Sequence, residues 1–208
     1  MKIIIVRHAQ TDENVKKVDI GYDSEALLNE EGILQAKKLG HHLKHEKISH
    51  AYVSPQKRAV RTAQEVLAHH PRAKLEHVEH LREQNLGIYE SVPKHIFKEV
   101  KAKSIEPFHL FKPEKGESYA DLKARAGKFF DELLKKHSGD STILIVSHAG
   151  TVGMLLLHIL EKEITEENYK AHKPENTAVT MLDISKDGKV DVLVVNSLQH
   201  LMKRDEEI

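Results

Sequence analysis

The sequence predicts an α/β fold, a three-layer α/β/α sandwich around a mostly parallel sheet. Two runs, KIIIV at 2–6 and TILIVS at 142–147, show the nearly continuous hydrophobicity of strands buried on both faces. Segments with helical periodicity alternate with strand-like segments, as in parallel sheets covered by helices. A hairpin pattern near the end of the chain supplies the expected antiparallel member.

Composition narrows the class of protein. A chain of 208 residues suits one domain, so we expect a single domain over 1–208. Lys and Arg number 32, as do Asp and Glu, so the charge balance predicts no nucleic-acid or membrane partner. The absence of Cys excludes disulfides and thiolate catalysis. A cytoplasmic location is the corresponding expectation.

The first half of the chain predicts two strand–helix pairs and a weaker strand. After the first strand, Asn29 is an N-cap candidate for a helix from Glu30 to about His45. HAYVS at 50–54 is a short strand, and RAVRTAQEVLAHH after it predicts a helix. KLEHV near Leu75 predicts a third strand of weaker signal.

The segment 90–117 interrupts this alternation. It contains three prolines, three phenylalanines and many lysines without a long apolar period. We predict a lid-like insertion here, with one short helix at 94–103.

The second half resumes the pattern and ends in a hairpin. SYAD at 118–121 resembles a capping box and predicts the start of a helix. A helix, TVGMLLLHILE, follows the strand TILIVS. TAVTMLDI and VDVLVVN flank Asp187 and Gly188, which mark the turn of a hairpin. The apolar second strand of that hairpin leaves a homodimer open.

Chemistry-bearing residues follow three predicted strands. Arg7 and His8 end the first strand, His148 follows TILIVS, and Arg58 follows HAYVS. In open α/β sheets, ligands bind beyond the carboxyl ends of the strands. Arginine matches phosphoryl oxygens, and a neutral imidazole is a competent nucleophile toward phosphorus. The sequence therefore predicts a phosphate site at this edge.

An acid for the leaving oxygen is supplied by Glu83 in LREQNLGIYE. A carboxyl group in a partly desolvated site can hold and release a proton, although the adjacent Arg82 opposes this. We interpret Arg82 as a member of a structural ion pair. Arg61, one turn after Arg58, is predicted to face solvent or a carboxylate.

Sixteen histidines raise the question of a metal site. The best local candidate is HHLKH, where His41 and His45 lie one helical turn apart. The other histidines show no repeated ligand spacing, so we expect neither a metal site nor a cofactor.

Four motifs in order resemble the histidine phosphatase superfamily, also called the phosphoglycerate mutase-like family. RHAQTDEN at 7–14 resembles its RHG signature, SPQKRAVRTA its second basic motif, LREQNLGIYE its acid motif and VSHAG its second histidine motif. GYDSEALLNEEGILQA and GESYADLKARAGKFFDEL also resemble family segments. The resemblance covers essentially the whole chain and implies the small phosphatase branch.

The resemblance implies a role for each motif residue. His8 would be the nucleophile that becomes phosphohistidine, and Glu83 would protonate the leaving alcohol and then activate water. The phosphoryl group would be surrounded by side chains from several motifs. The residues implied to bind substrate are Arg7, Gln10, Thr11, Asn14, Arg58 and His148.

Two positions depart from the family pattern. Ala9 stands where the family usually has glycine, and Gln10 stands where an acidic residue is common. Alanine keeps a tight turn if its φ is negative. Gln10 removes a negative charge from beside the predicted site but no catalytic group.

These observations favour a metal-independent phosphatase acting on a small phosphorylated metabolite. The alternative is a mutase that hands the phosphoryl group to another hydroxyl of the substrate. Mutases of this family carry a longer insertion than 90–117, and a shorter insertion favours water access. An inactive phosphate-binding module would lack a motif residue, yet all are present. The lysines of 90–117 would meet an acidic leaving group or form a solvated face.

Overall fold

Six strands form one mixed sheet in the computed structural model, which describes residues 1–137 and 139–202. The order across the sheet is β3-β2-β4-β1-β5-β6. The first four strands in that order run parallel, whereas β5 is antiparallel to both β1 and β6. The strands are β1 (Lys2–Arg7), β2 (Ile48–Val53), β3 (Lys74–His77), β4 (Thr142–Ser147), β5 (Val179–Ile184) and β6 (Val190–Ser197).

Helices connect these strands in the predicted alternation. Short 3₁₀ turns occur at Glu79–Leu81, Gly87–Tyr89 and Gln199–Leu201. The α-helices of the described residues are α1 (Asp12–Val15), α2 (Glu30–Leu43), α3 (Lys57–Leu67), α4 (Lys94–Lys103), α5 (Tyr119–Lys136), α6 (Ala149–Ile159) and α7 (Glu166–His172). Of these helices, none is long and apolar enough to cross a membrane.

The sheet has a hydrophobic core on each face, which confirms the three-layer α/β/α sandwich. Ile3 and Ile5 of β1 pack toward α5 and α6, whereas Ile4 and Val6 pack toward α2 and α3. Alternate residues of a strand point to opposite faces, so a run of apolar residues is what two cores require. Full burial of each such side chain stabilises the fold by roughly 1.5–3 kcal/mol.

Most predicted elements are confirmed, with small shifts at their ends. The short helix of the insertion spans 94–103 as predicted. Ser118 and Asp121 form the predicted capping box of α5, and Asn29 caps α2, which ends at Leu43 and not near His45. Strand β2 begins before the predicted HAYVS, at Ile48.

Helix α7 was not predicted from the sequence. It has only seven residues, of which Tyr169 and His172 are buried, so it carries no apolar stripe to detect. Its N-cap, Thr165, accepts from the Asn168 amide.

The prediction of one domain over 1–208 includes position 138 and the segment 203–208, which lie outside the described residues.

Candidate functional site

The predicted site residues meet where β1 and β4 end. The two strands pair in parallel, with Arg7 opposite Ser147, so the residues that follow them emerge side by side. The His8 amide donates to the Ser147 carbonyl at 2.8 Å. The ring centroids of His8 and His148 lie 5.1 Å apart, with the rings tilted by 56°.

The His8 ring is held in one tautomer. Its side chain is buried, with 2 % exposed, and Nδ1 lies 2.7 Å from the carbonyl oxygen of Ala9. A carbonyl oxygen can only accept, so Nδ1 carries the hydrogen and Nε2 keeps its lone pair. Burial, followed by the charges of Arg58 and Arg7, holds the pKa of His8 well below its ordinary value. The ring is therefore a neutral, oriented base near neutral pH.

Arg7 is buried and anchored by one end of its guanidinium. Nη1 donates to the Pro174 carbonyl at 2.9 Å and lies 3.9 Å from a carboxylate oxygen of Glu175. Its Nε is buried and has no hydrogen-bond partner among residues 1–137 and 139–202. Burial lowers the pKa of Arg7, but the carboxylate of Glu83 opposes this effect.

Arg58 is fully buried and anchored in a similar way. Nη1 and Nη2 donate to the carbonyls of Ser24 and Gly21, at 3.2 and 3.3 Å. Its Nε likewise has no hydrogen-bond partner in the part of the chain that the structure describes. Burial lowers the pKa of Arg58 to about 10, so the side chain still carries its charge. A buried donor without a partner is costly, and an anion at this edge would supply one.

His148 is fully buried beside His8. Its Nε2 lies 2.7 Å from the Ser54 hydroxyl, whereas Nδ1 has no hydrogen-bond partner among the described residues. Burial, then the charges of Arg58 and His8, holds its pKa well below the ordinary value. Three unpartnered buried nitrogens thus belong to the side chains that the motifs predicted, Arg7, Arg58 and His148.

Glu83 is positioned by backbone donors. Its carboxylate accepts from the amides of Gly150 at 3.0 Å and Thr151 at 3.2 Å, at the N-terminus of α6, and from Gln84 at 2.9 Å. A carboxylate is favoured at a helix N-terminus. A Cβ at Gly150 would lie 2.5 Å from Glu83 Oε1, so only glycine permits this approach.

The main chain around Glu83 is fixed as well. The Glu83 amide donates to Gln56 Oε1 at 2.9 Å. Arg125 donates to the Glu83 carbonyl at 3.3 Å and forms a 2.6 Å ion pair with Glu117. The neighbouring Arg82 pairs with Glu79, which matches the structural role predicted for it.

Asn14 lies in the wall of the same cavity as His8. Its Oδ1 accepts from the Thr11 amide at 3.3 Å and from Asn176 Nδ2 at 3.1 Å. These bonds engage the amide oxygen and leave the NH₂ group as the free donor.

Gln10 and Thr11 lie outside this cavity, and their predicted binding roles gain no support from the geometry. Gln10 Oε1 accepts from Asn29 at the start of α2. The Thr11 hydroxyl is buried and caps α1 by accepting from the Asn14 amide. The conformation of Ala9 agrees with its expected turn, since it is not among the described non-glycine residues with positive φ.

A cavity of about 620 Å³ opens onto these groups. Its lining includes Arg7, His8, Asn14 and Glu83, which we call the inner half; the fully buried Arg58 and His148 are not among its lining residues. The lining also includes Phe97, Phe108, Tyr119, Tyr169 and several lysines, which we call the outer half. A groove of about 820 Å³ beside Val60 is larger, but it contains none of the chemistry-bearing residues described above.

Sequence reasoning missed the supporting residues. Asn176 donates to the His8 carbonyl at 2.9 Å, Ser54 contacts His148, and Gln56 orients Glu83. Ser54 and Gln56 flank Pro55 within the second basic motif, which was the available signal. Asn176 follows α7 in a segment without motif or periodicity, so nothing in the sequence marks it.

Comparison with known proteins gives consistent matches. The family described as Histidine phosphatase superfamily (branch 1) matches residues 3–197. A broad-specificity phosphatase of Saccharomyces cerevisiae is 32% identical over 97% of this chain and 87% of its own length. A putative phosphoserine phosphatase of Hydrogenobacter thermophilus is 30% identical over 96% of this chain and 97% of its own length.

Solved structures show the same fold. The YhfR protein of Bacillus stearothermophilus superposes with a TM-score of 0.86 at 24% identity, covering 96% of this chain and 98% of its own. A phosphoserine phosphatase of Entamoeba histolytica, in complex with 3-phosphoglyceric acid, superposes with a TM-score of 0.80 at 25% identity, covering 97% of this chain and 99% of its own.

Proposed function

We propose a function from one premise: the chain belongs to the histidine phosphatase superfamily. On that premise, the protein is a metal-independent phosphatase that hydrolyses small phosphomonoesters through a phosphohistidine on His8. The observation that carries the proposal is the state of the His8 ring. Its Nδ1 hydrogen is donated to Ala9, so Nε2 presents a lone pair beside buried guanidinium groups. The names of the two curated relatives, both phosphatases, support the same reaction class.

In the first step, His8 Nε2 attacks phosphorus. A bond forms between nitrogen and phosphorus, the bond to the leaving oxygen breaks, and Glu83 gives its proton to that oxygen. Arg7, Arg58 and His148 stabilise the charge on the transferred group. Donors that are already oriented and desolvated lose little to reorganisation during the reaction.

In the second step, water replaces His8. Glu83 takes a proton from the water as its oxygen attacks phosphorus, and the nitrogen–phosphorus bond breaks. Phosphate leaves and Glu83 is protonated again, so the cycle closes without another proton carrier. Asn14 donates to the bound group through its free NH₂.

Hydrolysis of an aryl phosphate in EDTA tests the proposal. We expect phosphate release by the wild-type protein and loss of at least about 10³-fold in kcat for His8→Ala, since no other nucleophile lies in this position. Arg61→Ala is the matched control, because Arg61 belongs to the same motif as Arg58 but pairs with Glu65 at the surface.

Two further measurements identify the reaction. A rapid acid-free quench followed by intact-mass analysis should detect one phosphoryl group on the wild-type protein and none on His8→Ala. With 3-phosphoglycerate as substrate, phosphate release indicates hydrolysis, whereas formation of its isomer indicates the mutase reaction. Absence of turnover with every phosphomonoester would overturn the proposal.

A further inference from the structure

Four lysines surround the outer half of the cavity, and we call them the lysine rim. Three lie on α4 and one directly follows α7; they are Lys94, Lys98, Lys101 and Lys173. Among residues 1–137 and 139–202, no carboxylate lies within ion-pair distance of any of them, although many surface lysines of this chain are paired. The rim is therefore a set of unpaired cations facing one space.

Desolvation is the main effect on two of these cations. Burial lowers the pKa of Lys101 to about 8, the charge of Glu166 opposes this effect, and the charge of Lys173 adds a smaller lowering. Desolvation also lowers the pKa of Lys173, the charge of Glu83 opposes it, and Lys94 and Arg7 lower the pKa further. An anion bound between Lys101 and Lys173 would stabilise both charged forms.

The acidic residues of the cavity act on the rim only at a distance, as the charge of Glu166 does on Lys101. Glu83 is held by backbone amides, Glu166 pairs with Lys170 at 2.7 Å, and Glu175 lies near Arg7. Only Asp19, among the carboxylates that line this cavity, has no hydrogen bond or ion pair within the described chain, and burial raises its pKa to about 6. The cavity wall is thus net positive although the whole chain has no net charge.

Lys101 is also held in place. Its Nζ lies 3.7 Å from the ring centroid of Phe108 and 3.9 Å from that of Tyr119. Cation–π contacts of this kind fix an ammonium without using its hydrogen-bond donors. Lys101 therefore presents oriented donors to the cavity.

We propose that the lysine rim binds a second anionic group on the leaving alcohol, which makes phosphorylated organic acids and bisphosphates the preferred substrates. This inference rests on the proposed function, because it concerns the part of the substrate that departs from phosphorus. A cavity of about 620 Å³ suits a small metabolite, with its phosphoryl group at His8 and its second anion at the rim. Lys101 and Lys173 are the specificity-determining residues.

A matched pair of substrates tests the proposal. 3-Phosphoglycerate and glycerol 3-phosphate share a three-carbon skeleton and differ by a carboxylate in place of a neutral hydroxymethyl group. We expect kcat/KM for the wild-type protein to favour 3-phosphoglycerate by roughly 10–100-fold, as one or two charge-assisted hydrogen bonds would give. Glycerol 1,3-bisphosphate is the third substrate, and its kcat/KM shows whether a phosphate can serve as the second anion.

Variants locate the effect on the rim. Lys101→Gln and Lys173→Gln should each lower kcat/KM for 3-phosphoglycerate more than kcat/KM for glycerol 3-phosphate, so that the ratio moves toward one. Lys103→Gln is the matched control, since Lys103 lies on the same helix, is exposed and does not line the cavity. The preference should also weaken as ionic strength rises.

The outcomes separate this inference from the proposed function. A wild-type ratio of the two kcat/KM values near one, or a ratio unchanged in both rim variants, would overturn the proposal that the lysine rim binds a second anion. Aryl phosphate turnover that persists in that case leaves the phosphatase proposal standing. Absence of turnover with every phosphomonoester, the aryl phosphate included, would overturn the phosphatase proposal on which this inference rests.

Discussion

The inner and outer halves of the cavity are built by different means. The inner half is carried by the ends of buried parallel strands, and its side chains are anchored by specific hydrogen bonds, as in the bonds of Arg58 to two carbonyls. The outer half combines the buried rings of Tyr119 and Tyr169 with lysines carried by α4, which has no buried residue, and by the segment after the seven-residue α7. Rigid support suits the proposed site of the transferred group, which is common to all substrates. Lysines on lightly packed segments suit the proposed site of the leaving group, which varies among substrates.

Loss of Arg58 should have the largest effect on the inner half. We expect Arg58→Ala to lower kcat by about 10²–10³-fold, the cost of removing one fixed donor to a developing charge. Arg58→Lys should not restore the rate, because an ammonium cannot reach two carbonyls and a phosphoryl oxygen as a planar guanidinium does. Steady-state kinetics with an aryl phosphate measures both variants. Near wild-type activity in Arg58→Lys would contradict the proposal that the planar guanidinium bonds two carbonyls and a phosphoryl oxygen at once.

The second prediction concerns the proton that Glu83 is proposed to supply. Glu83→Gln should lower kcat by about 10²–10⁴-fold for alkyl phosphates, since their leaving oxygens need a proton. The loss should be much smaller for the first step with nitrophenyl phosphate, whose leaving group departs unprotonated. A burst of nitrophenol before slow turnover would show the phosphoenzyme accumulating. Equal losses in the rate of the first step with both substrates would instead indicate a structural role.

Gly150 gives a milder test of the same group. A Cβ at this position would lie 2.5 Å from Glu83 Oε1, so Gly150→Ala should displace the carboxylate. Displacement by a fraction of an ångström predicts roughly a tenfold loss with alkyl phosphates. Gly153→Ala, on the same helix and next to the ring of Tyr169, is the matched control. A comparable loss in both variants would assign the effect to α6 as a whole.

A buried histidine beneath the inner half predicts a pH dependence of stability. His200 Nε2 lies 3.0 Å from the Thr177 hydroxyl, and burial, then the charges of His42 and Lys38, lowers its pKa to about 4. The unfolded chain binds this proton below about pH 6.5 and the folded chain does not, so the free energy of unfolding falls as pH decreases from 6.5 to 4.

Removal of that histidine provides the measurement. In urea denaturation between pH 6.5 and 5, the free energy of unfolding of His200→Gln should fall by about 1 kcal/mol less per pH unit than that of the wild-type protein. Identical pH slopes would show that His200 takes up its proton in the folded state.

The smallest effect is expected in the outer half, at Asp19. Asp19→Asn removes a negative charge that acts on Lys94 and Lys173, so the preference for 3-phosphoglycerate over glycerol 3-phosphate should rise roughly two- to fivefold at pH 7. Since the pKa of Asp19 is about 6, the difference between variant and wild type should shrink at pH 5. A decrease in preference at pH 7 would mean that Asp19 assists the binding of an anionic leaving group.

The inner half was largely predictable from the sequence, whereas of the outer half only the helix 94–103 and its lysines were. Continuous apolar runs identify β1 and β4, and parallel pairing places His8 beside His148. Ser118 and Asp121 likewise predicted the start of α5, because they form a capping box. Both patterns involve only residues that are close together in the sequence.

Other features depend on tertiary contacts that no local pattern encodes. Asn176 reaches the His8 carbonyl from a segment distant in sequence, and Lys173 reaches the rim from the same segment. The expectation that Gln10 and Thr11 bind substrate rested on their position in a motif. In the structure, Gln10 Oε1 accepts from the side chain of Asn29, the N-cap of α2, and the Thr11 hydroxyl accepts from the Asn14 amide in the first turn of α1.

The position of β1 in the sheet also has a consequence for how the protein folds. The strand that carries Arg7 and His8 comes first in the chain, yet its two partners, β4 and β5, come more than a hundred residues later. Sheets that depend on such distant pairings form slowly, because a long loop must close before any contact is gained. During synthesis, His8, the proposed nucleophile, therefore emerges before β4 and β5 and stays without its pocket until these strands are made. Recovery of activity after dilution from denaturant should accordingly lag behind the recovery of helical circular dichroism.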